Sequence, residues 1–169
     1  MELSVELVVD GVDLDNPTTA RIVRRHLGDV GWASVDGLLT VGIVSDATDA
    51  VALAHAIADR IRAHLPDAGA LRFHDDFVSI PEIALRAGVS REAVRLWTCG
   101  QRGPQDFPTP YAFVGVAERR SPIWRWARVS EWLDAHGQRG DGLAFPTDRQ
   151  IADVNAHLAR PRRRTLQPA

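Results

Sequence analysis

Three observations in the sequence predict an α+β fold. Short runs with apolar residues at every second position alternate with stretches whose apolar residues recur every three or four. Turn-forming residues punctuate them: Asn16-Pro17, Asp36-Gly37, Pro66, Gly88 and the prolines between Pro104 and Pro110. The 169 residues are 45% hydrophobic and 25% charged, a globular composition that fits one large core or two small ones.

The first elements follow in order. Leu3, Val5, Leu7 and Val9 alternate with Ser4 and Glu6, which predicts a strand. Asn16 is placed to cap a helix with Pro17 at its first position; Ala20, Val23 and Leu27 lie along it, and Gly28 is expected to close it. Strands are expected over 32–35 and 38–44. Asp36-Gly37 between them is a favoured hairpin pair, because both turn positions take positive φ. An amphipathic helix is expected over 48–65, with Val51, Ala54, Ile57, Ala58, Ile61 and Leu65 on one face and Pro66 as its stop. A last strand over 70–78 completes the order βαββαβ, the split arrangement of a ferredoxin-like sandwich. The first domain is therefore drawn at 1–76.

This half carries no pattern of chemistry. It has no glycine-rich phosphate loop and no tight Ser, His and Asp set. His26, His55 and His64 fall at no shared ligand spacing on one helix face. No catalytic residue, metal or cofactor is expected, and dimerisation is the expected role. Cys99 is the single cysteine, so neither an internal disulfide nor a cysteine zinc cluster can form; it is expected as a small packing residue. Met1 to Glu6 lacks a basic leader, and the apolar runs are shorter than a membrane span. A cytoplasmic, non-membrane protein is expected.

Charge divides the chain. Residues 1–76 hold 6 Arg against 13 acids, net −7, whereas 77–169 hold 14 Arg against 9 acids, net +5. All 20 basic residues are arginine. A basic half joined to an acidic one suggests that the second part meets a polyanion.

The informative stretch begins at Ser79. Ser79 and Glu82 have capping-box spacing, and Ile80, Ile83, Ala84 and Ala87 form an apolar stripe that Gly88 ends. Ser90 then caps a second helix across a three-residue turn. Helices so close must cross steeply, which calls for small residues at the crossing (Ala84, Gly88) and an inner face of Val94 and Trp97. This is the spacing of a helix-turn-helix. The outer face of the second helix carries Arg91, Glu92, Arg95 and Thr98, with Ser90 at its entry. Arginine can bridge guanine O6 and N7 or grip a phosphate with two donors.

Beyond it, Phe107-Pro108-Thr109-Pro110 excludes helix and leads into strands expected over 111–116 and 123–126. Glu118-Arg119-Arg120-Ser121 between them makes a polar, basic tip, as a wing beside a recognition helix requires. Trp124 and Trp126 alternate within the second strand and are read as packing residues. A short helix over 128–136 buries Val129, Trp132 and Leu133, so the second domain is drawn at 77–136.

Ser-Ile-Pro-Glu-Ile-Ala, Gly-Val-Ser-Arg-Glu-Ala-Val, Phe-Pro-x-Pro and Trp124-x-Trp126 before Arg-Val-Ser-Glu-Trp-Leu occur in that order. Over about sixty residues the stretch resembles the winged helix-turn-helix domains of the excisionase, AlpA and MerR superfamily. It looks most like the actinobacterial type, in which an Arg-Gly-Pro loop precedes Phe-Pro. The resemblance implies that the helix after the turn enters the major groove of double-stranded DNA while the hairpin touches its backbone. It carries over to Arg91, Glu92 and Arg95 on the helix and to Arg119 and Arg120 on the wing. Arg102 lies in a loop longer than that of the smallest members.

Residues 137–169 are read as a glycine-containing linker over 137–142, a helix over 148–158 capped by Thr147, and a basic tail from Arg160. The whole is expected to be a sequence-specific DNA-binding protein, a transcriptional regulator acting as a homodimer. Two alternatives stand beside it: an excisionase-like architectural factor in recombination, and a protein-interaction or ligand-sensing module without DNA binding.

Overall fold

The computed structural model describes residues 1–116 and 119–159. They form two compact units, Leu3–His74 with the described part of Phe145–Ala169, and Met1–Glu2 with Asp75–Ala144.

The first unit is the ferredoxin-like sandwich, in the order β1 (Leu3–Asp10), α1 (Pro17–His26), β2 (Gly31–Val35), β3 (Leu38–Ser45), α2 (Ala50–His64) and β4 (Gly69–Phe73). The sheet runs β2-β3-β1-β4 with every neighbouring pair antiparallel. Leu7 lies opposite both Val41 of β3 and Phe73 of β4, and these side chains are buried with Val5, Ile57 and Ile61. Burying such aliphatic side chains stabilises the fold by roughly 1.5 to 3 kcal/mol each. Asp36 and Gly37 both take positive φ, 49° and 82°, as the hairpin turn demands. Asn16 accepts from the Thr18 and Thr19 amides at the start of α1.

Several boundaries differ from the sequence reading. The second helix starts at Ala50 because the Asp49 carboxylate takes the cap, accepting from the Val51 and Ala52 amides. The first helix ends at Leu27, whose amide donates to the Val23 carbonyl; Gly28 does not adopt the left-handed conformation. The strand expected over 70–78 is two strands, since His74–Asp76 separates β4 from β5 (Phe77–Val78), which joins the other sheet.

The C-terminal helix α6 (Asp148–Leu158) packs on α2 and β4, burying Ile151, Val154 and Leu158. Asn155 Oδ1 accepts from the Phe73 amide at 2.6 Å, along the outer edge of β4. Residues far apart in sequence thus complete this unit. The basic tail from Arg160 lies outside the described residues.

The second unit contains β5, α3 (Ile80–Ala87), α4 (Arg91–Thr98), β6 (Ala112–Val114), β7 (Ser121–Arg125) and α5 (Trp126–Ala135), with the small sheet ordered β5-β7-β6. It has two helices packed together and a β-hairpin wing, a winged-helix-like topology. Its core is aromatic. Phe107 meets Trp97, Trp124 and Trp132 at ring-centroid distances of 6.4, 5.9 and 4.9 Å. Three of the buried indoles have their N–H satisfied: Trp124 donates to Pro108 O, Trp132 to Asp106 and Trp126 to Asp141. Satisfying that donor is what lets a tryptophan be buried without penalty.

Trp126 is the first residue of α5 rather than the last of a strand, and it is buried like Trp124. The stretch expected as a linker is pinned to the same unit. The Asp141 amide donates to the buried Ser130 hydroxyl, and the Gly142 amide to Asp134.

Candidate nucleic-acid interface

Glu82 accepts from both the amide and the hydroxyl of Ser79, each at 2.7 Å, and fixes the start of α3. The Ser79 hydroxyl bond, then its amide, holds the Glu82 carboxyl below its usual range. At the other end Gly88 has φ 69°, and the Val89 amide closes back on Ala84 O at 2.9 Å. A left-handed residue there turns the chain sharply at little steric cost. Two residues on, Ser90 Oγ accepts from the Ala93 amide at 3.1 Å and starts α4. Val94 and Trp97 point inward and are buried, as are Ile83, Ala84 and Ala87 on α3.

That anchoring decides which side chains of α4 meet solvent. Arg91, Glu92 and Arg95 are exposed, and Ser90 is exposed at the helix entry. Thr98 departs from the expected outer face: it is half-buried, and its hydroxyl donates to Arg95 O at 2.9 Å. Glu92 and Arg95 form a two-bond ion pair along the helix surface. The hydrogen bond from Arg95 lowers the Glu92 carboxyl and raises the guanidinium. Cys99 is exposed, not packed as expected, because the helix ends there with Val94 and Trp97 already filling the inner face.

Arg102 is exposed in the loop that leads away from α4. The loop is held against the core at both flanks. Gly103 passes so close to Trp97 that an added Cβ would sit 3.2 Å from the ring, and Asp106 bonds the Trp132 indole at 2.9 Å. Arg119 and Arg120 are both exposed between the strands of the hairpin; β6 is shorter than expected, whereas β7 begins earlier, at Ser121, and ends at Arg125. The other arginines of this unit near the sheet are engaged: Arg86 with Asp76, and Arg125 with Asp75 at 2.9 Å while lying over the Tyr111 ring.

Sequence reasoning missed the apolar character of the wing. Phe113 is 61% exposed and Val116 78%, with Tyr111 and Val114 also exposed. The signal was present, since Tyr111 to Val116 contains no charged residue and a strand at a sheet edge can bury only one face. It missed, too, that Glu92 would sit on Arg95.

Among the described residues no helix is long and apolar enough to cross a membrane, and no group of three His, Cys, Asp or Glu side chains could hold a metal ion. No family model, curated protein or solved structure matches the chain.

Proposed function

We propose that the second unit binds double-stranded DNA, with α4 in the major groove and the β6–β7 hairpin against the flanking backbone, and that the protein is a transcriptional regulator. The observation that carries this reading is the sidedness of α4. Val94 and Trp97 anchor it through the turn at Gly88, leaving Arg91, Glu92 and Arg95 on one free face at its N-terminal end. Such a face suits base edges and phosphates, while Arg119 and Arg120 supply a backbone contact. In this reading the protein recognises DNA and carries out no chemistry on it. The test is a titration of labelled genomic fragments, including the region upstream of its own gene, at two salt concentrations. Salt-dependent binding with preference for one fragment supports a regulator; no binding at either salt removes the reading.

A second reading rests on the exposed Phe113 and Val116. Apolar side chains on a hairpin that enters the minor groove unstack base steps and kink the duplex. The protein would then be an architectural factor, and bound DNA would be bent. Equal end-to-end distances in free and bound fragments would exclude it.

A further inference from the structure

The four-stranded sheet has two edges, and they are treated differently. The β4 edge is closed. Asn155 occupies the Phe73 amide, Arg72 donates to the Phe73 carbonyl at 3.3 Å, the register against β1 shifts between Val8 and Val9, and α6 packs alongside. These are the devices by which sheets protect an edge from pairing. The β2 edge has none of them. Gly31-Trp32-Ala33-Ser34-Val35 contains no charge, no proline and no bulge, and all but Trp32 are exposed.

The hairpin sets which backbone groups that edge presents. Val35 and Leu38 flank the two-residue turn and so exchange both bonds, as do Ala33 with Thr40 and Gly31 with Gly42 two residues apart. The N–H and C=O groups of Trp32 and Ser34 therefore point away from β3. The Trp32 indole is turned inward, donating to Leu27 O at 3.4 Å, and does not block them.

We propose that β2 pairs antiparallel with β2 of a second copy, in the register that sets Ala33 opposite Ala33 of the second copy. In that register Trp32 of each copy faces Ser34 of the other, and every outward backbone group finds a partner. A strand without charge can meet itself with no like-charge clash across the two-fold axis. Val35, 67% exposed, falls across from Gly31 of the second copy, where the missing side chain leaves room for it. The charges nearest the start of the strand, Asp29 and Arg60, are already paired with each other. The edge strands of the small sheet, β5 and β6, are only two and three residues long, and shortness is itself a protection. This inference concerns the first unit and stands or falls independently of DNA binding.

The test uses the full chain without DNA. Sedimentation velocity over a wide concentration range is expected to show a monomer–dimer equilibrium. Ser34→Pro removes an outward amide that bonds nothing within one copy, so it should leave the melting temperature nearly unchanged and abolish the dimer. In a Cys99→Ser background, Ala33→Cys should give an oxidised, disulfide-linked dimer on a non-reducing gel. A wild-type chain that stays monomeric at the highest concentration overturns the proposal, as does a folded Ser34→Pro variant that still dimerises. If Ser34→Pro fails to fold, the cysteine variant decides: absence of the cross-link overturns the pairing.

Discussion

Arg95 donates from Nε and Nη2 to the two carboxylate oxygens of Glu92, at 2.9 and 2.6 Å, on the outer face of α4. Both side chains are more than half exposed, so the pair itself adds little stability. Its consequence is competition. A phosphate or a guanine edge that takes Arg95 must displace Glu92 or give it another donor. Glu92→Gln is therefore expected to strengthen binding to arbitrary DNA and to steepen the dependence of log K on log salt by about one. Fluorescence anisotropy across a salt series checks both. Unchanged affinity for all fragments would mean that α4 does not approach DNA through this face, whereas loss confined to one sequence would make Glu92 an acceptor for cytosine N4.

The two arginine sets should behave differently. Arg95→Ala is expected to cost about 1 to 3 kcal/mol at the preferred site and much less elsewhere, relaxing specificity. Joint replacement of Arg119 and Arg120 by Ala should instead weaken all sequences alike and flatten the salt slope by about two. Competition titrations with preferred and scrambled duplexes separate these outcomes. An Arg95→Ala protein that loses every sequence equally would move Arg95 from base reading to phosphate.

How far the sequence carried depended on whether a residue acts locally. Asn16, Ser90 and Asp36-Gly37 bond within a few residues of themselves, and the structure has each in the expected cap or turn. The alternation in β1 and the stripe of α2 reported the core face for the same reason. What could not be read was set by distant partners. Asn155 meets Phe73 across 82 residues, Asp141 reaches Ser130 and Trp126, and no local pattern announces either. The split of 70–78 into two strands belongs to this class. His74-Asp75-Asp76 interrupt its apolar run, and where the chain goes next is set from far away: Trp126 takes Asp76 O and Arg125 takes Asp75, which draws the later residues into the second sheet. At the candidate interface, the inward positions of α4 were legible from spacing, and the uncharged run from Tyr111 to Val116 was open to the same reading; the two-bond geometry of Arg95 on Glu92 needed side-chain placement.

Trp124 is 1% exposed, donates to Pro108 O at 2.9 Å, and meets Phe107 edge-on. It joins the wing strand to the loop after α4. Trp124→Ala should cost about 3 to 5 kcal/mol. Trp124→Phe should cost less, yet still leave the Pro108 carbonyl without its donor. Since the units have separate cores, denaturant unfolding followed by proteolysis is expected to show the 75–144 segment released first in the alanine variant. Uniform destabilisation of both segments would show that they unfold as one.

The first unit holds two stacked imidazole pairs, His26 on His64 with ring centroids 4.2 Å apart and His55 on His157 at 3.7 Å. Each joins two helices, α1 to α2 and α2 to α6. Burial, and then the neighbouring His157, lowers the pKa of His55; Arg62 acts in the same sense, while Asp59 and Asp49 oppose it. The folded pKa thus lies below the unfolded one, near 6.5, and the unfolded chain takes up the proton first. Stability from this pair is complete above about pH 6.5 and is lost as the pH falls through that value toward the folded pKa. The carboxylates act lower. Glu6, held down chiefly by its bond to His74, and Asp29, held down by Arg60, lose their contribution only as the pH falls below about 4.5. The melting temperature should therefore fall in two steps on acidification. His157→Gln should diminish the first step and leave the second in place. Calorimetry between about pH 7.5 and pH 3.5 reads both. A wild-type melting temperature that is flat from neutral to mildly acidic pH, or a first step untouched by His157→Gln, would rule out the α2–α6 imidazole pair as its source.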